Sequence, residues 1–180
     1  MVENSDVVIA DLDLPEEVKE WASGFKTPQE LWRSARRADW MLMVLEKSRK
    51  GTWKGLRHFL VALARRHQLF LPDVRSVRAL DLAEKYADGD ATQSAVEFIL
   101  EGASKSTEHA VESGWTVTAY AARLSVLSLG RDTYASCHEA IDVSLSAAIE
   151  MQGMESEALV LGTLGDMAVL LREHEPAPFG

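Results

Sequence analysis

Thr52-Trp53-Lys54-Gly55-Leu56-Arg57-His58-Phe59-Leu60-Val61-Ala62-Leu63-Ala64-Arg65-Arg66-His67-Gln68-Leu69 reads as one amphipathic helix. Leu56, Phe59, Leu60, Leu63 and His67 recur at three- and four-residue spacing and share a face, which needs other helices to cover it. Arg57 and Arg65 lie off that stripe and Arg66 borders it. On both sides the same helical spacing continues, interrupted by Gly and Pro. Upstream, Pro15-Glu16-Glu17, with Asp13 as a cap, opens a helix to about Ala22. Thr27-Pro28-Gln29-Glu30 opens another with a capping hydroxyl and a glutamate placed to reach back. A third holds Trp40, Met41, Val44 and Leu45 and stops near Gly51.

Downstream, Pro72-Asp73 separates the quoted segment from a helix over 74–87, which Asp88-Gly89-Asp90 ends. Thr92 caps a long helix to about Glu112, Gly114 closes it, and further helices span 115–129, 133–151 and 155–171. No run alternates β-branched with polar residues as a strand would. The fold class is therefore all-α: a single multi-helix bundle of seven to nine helices over 1–180, with irregular tails at 1–13 and 173–180. Solenoid-like stacking of helix pairs is the alternative, although no residue pattern repeats at a fixed period.

Composition agrees. A chain of 180 residues with 47% hydrophobic side chains buries roughly 70% of its unfolded surface, and the lone Cys137 cannot form an internal disulfide. The first 13 residues carry four acids and no Lys or Arg, unlike a signal peptide. No apolar run approaches the ~18 residues of a membrane span. A cytoplasmic protein without membrane contact is expected.

Charge is unevenly distributed. Residues 47–80 hold nine Lys/Arg against one Asp, within a chain whose net charge is -9. Lys47, Arg49, Lys50, Lys54, Arg57, Arg65, Arg66, Arg75 and Arg78 form this block. One reading is a patch for an anionic partner; the other is neutralisation by the chain's own acids, such as Asp81, Glu84 and Asp88. The overall negative charge favours the second, because a polyanion would be repelled at long range. No helix-turn-helix, zinc-finger or RNA-binding strand motif supports nucleic acid. In the helix over 74–87, Asp73 is the expected cap, Leu80, Ala83 and Ala87 the buried face, and Arg75, Arg78 and Lys85 the exposed one. Glu84 is placed to pair with Arg66 or Arg57 across the two helices as a structural clasp.

Leu56-Arg57-His58-Phe59, Arg65-Arg66, Pro72-Asp73-Val74-Arg75-Ser76 and Ala83-Glu84-Lys85-Tyr86-Ala87-Asp88-Gly89, with the ending Leu170-Leu171-Arg172 and Pro178-Phe179, carry a resemblance. This chain resembles an uncharacterised family of helical bacterial proteins common in planctomycete genomes, and is more loosely similar to alanine-rich helical immunity-protein domains. The family often carries a cysteine cluster before the paired arginine; Val61-Ala62-Leu63-Ala64 stands there instead, so any metal or redox role of those cysteines is absent. The resemblance implies a helical fold and a small cytoplasmic bacterial protein, and supplies no reaction.

The residues supply none either. No Glu-x-x-His or His-Glu-x-x-His occurs among the five histidines, and there is no cysteine pair, so no metal or other cofactor is expected. Cys137 and His138 are adjacent on a helix and point about 100 degrees apart, which prevents a nucleophile–base pair; Cys137 reads as a small buried hydrophobe. Asp132, Glu139 and Asp142 read as a solvated face, and His174 as exposed in a polar tail. The five tryptophans, Trp21, Trp32, Trp40, Trp53 and Trp115, read as core anchors rather than an aromatic groove. The expectation is a non-enzymatic, immunity-like or adaptor-like interaction module that binds another protein. Contact would run through the acidic second half to a basic partner, or through Arg57 to Arg78 to an acidic one. The alternative is a small-molecule or nucleotide-binding domain that places Arg57, Arg65, Arg66 and His67 around an anion.

Overall fold

The structure, a computed structural model, describes residues 8–71, 73–176, 178 and 179. Residues 1–7 of the expected N-terminal tail, Pro72 of the Pro72-Asp73 boundary, and Ala177 and Gly180 of the C-terminal one lie outside the described residues. Nine α-helices and two short 3-10 turns make up the described chain, and it contains no strand. They are α1 (Glu16–Ser23), α2 (Pro28–Ser34), α3 (Ala38–Ser48), α4 (Trp53–Arg66), α5 (Val74–Asp88), α6 (Gln93–Glu112), α7 (Thr116–Leu127), α8 (Thr133–Gln152) and α9 (Glu157–His174).

Local chemistry sets most boundaries. The hydroxyl of Thr27 accepts from the amide of Glu30, while the Glu30 carboxylate accepts from the amide of Lys26 at 2.8 Å. Thr52, Asp73, Thr92, Asp132 and Ser156 cap five later helices in the same way. Gly89 and Gly153 end α5 and α8 at φ +84° and +68°, backbone that favours glycine. Three boundaries differ from expectation. Pro15 itself occupies the cap position of α1 with no side-chain hydrogen bond, and Asp13 pairs with Lys47 instead. The central helix α4 ends at Arg66, and Gln68–Phe70 forms a separate 3-10 turn. At the other end α9 continues past Leu171 to His174.

From α4 onward successive helices run antiparallel. The register is set between α4 and α5 by Arg65–Asp81 and His58–Asp88, between α5 and α6 by Ser76–Ser106, and between α7 and α8 by Arg123–Glu139. α4 packs on α5, α7, α8 and α9 together, so its apolar face is enclosed by a bundle; a solenoid would leave each pair touching only its neighbours. Leu56, Phe59, Leu60 and Leu63 sit in the main core with Leu42, Leu45, Leu124, Ile141, Leu164 and Leu171. A second cluster of Val61, Ala79, Ala83, Val96, Ala103 and Leu129 joins α4, α5 and α6, where small residues let the helices approach. No helix among the described residues is long and apolar enough to cross a membrane.

Candidate functional site

The basic segment meets its own carboxylates. Lys47 pairs with Asp13 at 3.3 Å, Lys54 with Asp88 at 2.7 Å, Arg65 with Asp81 at 2.7 Å and Glu84 at 3.3 Å, and Arg75 with Asp73 at 2.5 Å. Lys54, with His58 behind it, holds the Asp88 carboxyl below its ordinary range. Glu84 therefore clasps Arg65, not Arg66 or Arg57. The reason is register: Arg65 lies within ion-pair reach of both Asp81 and Glu84 on α5. Among the described residues Arg49, Lys50, Arg66 and Arg78 make no ion pair.

Arg57 departs furthest from expectation. It is 1% exposed, the reverse of a surface binding residue. Its guanidinium donates to the carbonyls of Ser128 at 2.7 Å and Gly130 at 2.8 Å, just past the end of α7. There a cation is favoured by the partial negative charge of the helix terminus. The rings of Trp53 and Tyr86 stand 4.8 and 5.1 Å from the guanidinium carbon, adding cation–π attraction. No carboxylate pairs with it, and Nε has no hydrogen-bond partner. Arg57 thus ties α4 to the α7–α8 turn and is unable to receive a ligand from solvent.

Arg65, Arg66 and Glu84 do share one shallow cleft of about 450 Å³, together with His58 and His174 over a floor of Val61, Ala62 and Leu170. His67 and Arg78 are elsewhere, so four of the seven expected binding residues, Arg57, His67, Arg75 and Arg78, do not line it. His174 is half-buried rather than exposed, its ring stacked on that of His58 at 5.9 Å. Burial, and then the neighbouring His58, hold the His174 imidazole below its ordinary pKa. Burial and the adjacent Arg66 do the same for His67.

The C-terminal segment is also built in. Glu175 is 3% exposed; its carboxylate accepts from the amide and the hydroxyl of Thr52, both at 2.7 Å, and its carbonyl accepts from the Trp32 indole at 2.8 Å. Residue 55 must be glycine for this, because a Cβ there would collide with the Glu175 carboxylate and reach 2.5 Å from the His174 carbonyl. Burial pushes the Glu175 carboxyl above its ordinary range against the opposing pull of the Thr52 hydrogen bonds. Phe179 closes the edge of the Trp32 ring. Trp32 is buried and Trp21 and Trp40 pack edge to face against each other, whereas Trp53 and Trp115 are exposed at 43% and 51%.

What the sequence did not indicate is an apolar end to the bundle. Here α4, α6 and α8 finish and α5, α7 and α9 begin, as the antiparallel registers require. Leu69, Phe70 and Val74 are exposed at the α4–α5 junction, Val111 and Trp115 at the α6–α7 junction, and Met151 and Met154 at the α8–α9 junction. These are seven of the twelve large apolar side chains exposed among the described residues, with Leu69 at 96%. The 3-10 turn carrying Leu69 and Phe70 packs beside α7, and Trp115 stands edge-on to His109. A signal was present: these residues fall at helix ends, outside every stripe. Periodicity looks for core faces and passes over them.

Chemistry is sparse elsewhere. Cys137 is fully buried, its thiol pushed well above the ordinary range by desolvation, while His138 turns away to Glu46 at 3.0 Å. Of the expected solvated face, Asp132 and Asp142 are exposed, Asp132 also caps α8, and Glu139 pairs with Arg123. Among the described residues no group of three His, Cys, Asp or Glu stands close enough to hold a metal ion. A larger groove, about 810 Å³, runs along α1; its charged side chains, Glu16, Lys19, Glu20 and Lys26, balance in sign and select no ligand charge. No family model, curated protein or solved structure matches the chain.

Proposed function

We propose that this chain is a non-enzymatic helical interaction module, immunity-like or adaptor-like, that meets another protein through the apolar end of its bundle. The observation that carries the reading is the gathering of Leu69, Phe70, Val74, Val111, Trp115, Met151 and Met154 at three neighbouring junctions. Single exposed hydrophobes are ordinary, but seven collected at one end of a bundle mark a contact, and aromatic side chains such as Phe70 and Trp115 are favoured anchors. The basic segment gives little support, since acids of the chain hold Lys47, Lys54, Arg65 and Arg75 and Arg57 is buried on backbone carbonyls. The test is reciprocal co-purification from the native host with wild-type protein and a Leu69→Ser/Phe70→Ser/Trp115→Ser variant. A partner that binds only the wild type, and recovers this chain when itself tagged, supports the reading; equal recovery by both forms sinks it.

The cleft favours a second reading, small-anion binding by Arg66, with His58 and His174 above Val61 and Leu170. Inorganic phosphate and nucleotides at about 100 times their dissociation constant would then stabilise the protein by about 2.7 kcal/mol. A thermal-shift series flat in Arg66→Ala and rising in wild type identifies that site; a flat series in both removes it.

A further inference from the structure

Beyond being apolar, the end surface has an unsatisfied charge. Glu108 and Glu112 leave the last turns of α6, Glu150 the last turn of α8, and Glu155 and Glu157 the start of α9. All five are exposed, and among the described residues none forms an ion pair. Around the basic segment the pattern is the reverse, with Asp73, Asp81, Glu84 and Asp88 each holding a cation. Of the cations near the end, Arg75 is committed to Asp73 and Lys105, with Glu108 nearby, to Glu101, which leaves Arg66 and Arg78 against five carboxylates that form no ion pair. A net charge of -9 adds a long-range field of the same sign.

Resting on the interaction reading above, we infer that the occupant of this end is a cationic amphipathic segment of another protein: an apolar stripe laid over Leu69, Phe70 and Trp115, with Lys or Arg on its flanks meeting Glu108, Glu112, Glu150, Glu155 and Glu157. The division of labour follows from the two kinds of group. Apolar burial holds the complex, while exposed carboxylates steer its formation and reject an acidic segment, an effect that salt screens within about 8 Å at physiological ionic strength. A second copy of this chain fits poorly, because its own end would bring ten free carboxylates together against four free arginines, twice the counts given above for one copy.

The probe is a labelled Leu/Lys amphipathic helix of about 18 residues, with a Leu/Glu helix of equal length as its opposite. Both are titrated by fluorescence anisotropy into the full chain at about 0.05 M and about 0.3 M salt. The Leu/Lys helix is expected to bind, to weaken roughly tenfold at the higher salt, and to weaken roughly tenfold in Leu69→Ser/Trp115→Ser. Phe98→Ser, which removes another exposed aromatic from α6 away from the end, is expected to change nothing. Glu108→Gln/Glu112→Gln/Glu155→Gln is expected to flatten the salt dependence. Leu/Lys binding untouched by the Leu69/Trp115 variant would show bulk charge alone and overturn the inference. If the Leu/Glu helix binds equally well and the same variant abolishes it, the interaction reading stands and the cationic partner falls. If neither helix responds to the end variants, both fall. A dimer found by sedimentation and lost in Leu69→Ser would name a second copy as occupant and overturn the inference as well.

Discussion

Arg57 shows how one side chain can be misread. On a helical wheel it lies one position past Leu56, off the apolar stripe, and the ordinary expectation for such an arginine is solvent. Its acceptors, however, lie 71 and 73 residues downstream, and nothing local announces two carbonyls waiting there. Removing the guanidinium leaves the Ser128 carbonyl buried and unpaired and takes the donor from the partly buried Gly130 carbonyl. Arg57→Met, which keeps the volume, is expected to lower unfolding free energy by about 3 kcal/mol in urea titration. Arg57→Lys is expected to lose about 2 kcal/mol, because a single ammonium cannot serve both carbonyls and lie against Trp53 and Tyr86. Glu84→Gln is a contrast at the same scale: in its pair with Arg65 the glutamate is 54% and the arginine 31% exposed, so the loss should be at most ~1 kcal/mol. Caps, by comparison, were legible, since Thr27, Asp73 and Thr92 act within three residues of themselves and need no distant partner.

At the scale of elements, α4 and the end of α9 hold each other. Thr52 and Gly55 are the N-terminal turn of one, and His174 and Glu175 close the other. Glu175→Ala is expected to cost about 2 kcal/mol, since it strands the Thr52 amide and opens a void. Glu175→Gln should cost under about 1 kcal/mol, because a neutral amide oxygen still accepts from Thr52 and needs no desolvation of charge. His174 gives this junction a pH response. Burial holds His174 below its ordinary value of 6.5, so below that pH the unfolded chain binds more protons than the folded one and stability falls. Glu175, raised above 4.5, acts oppositely and gains stability as pH falls toward that value. Melting temperature should therefore drop between about pH 7.5 and 5.5, and His174→Asn should flatten that drop, leaving a remainder from His67. A slope unchanged in the variant would remove the assignment. This docking escaped the sequence reading because Pro176 and Pro178 signal irregular backbone, and irregular backbone is easily equated with exposure.

Across the whole molecule, the all-helical bundle was readable because Gly and Pro mark nearly every junction and the stripes on α4 and α5 are unambiguous. The proposed contact surface was not, because it is assembled from three junctions 40 or so residues apart in sequence that antiparallel packing gathers at one end. Charge counting pointed instead to 47–80, where folding supplies counter-ions to Lys47, Lys54, Arg65 and Arg75 and buries Arg57. Leu69→Ser/Phe70→Ser is expected to leave unfolding free energy within ~0.5 kcal/mol while lowering binding of a hydrophobic dye to the native protein. A larger destabilisation would show that these side chains serve the core.

The embrace between Thr52 and Glu175 also bears on how the chain is made. The two meet across 123 positions, and at a synthesis rate of about 10 residues per second the amide turn at the head of α4 waits roughly 10 s for its acceptor. Through that interval the central helix has been translated while its cover, completed only by α9, has not. A nascent chain halted before residue 175 would carry that helix unfinished, and would be a natural target for chaperones or proteases.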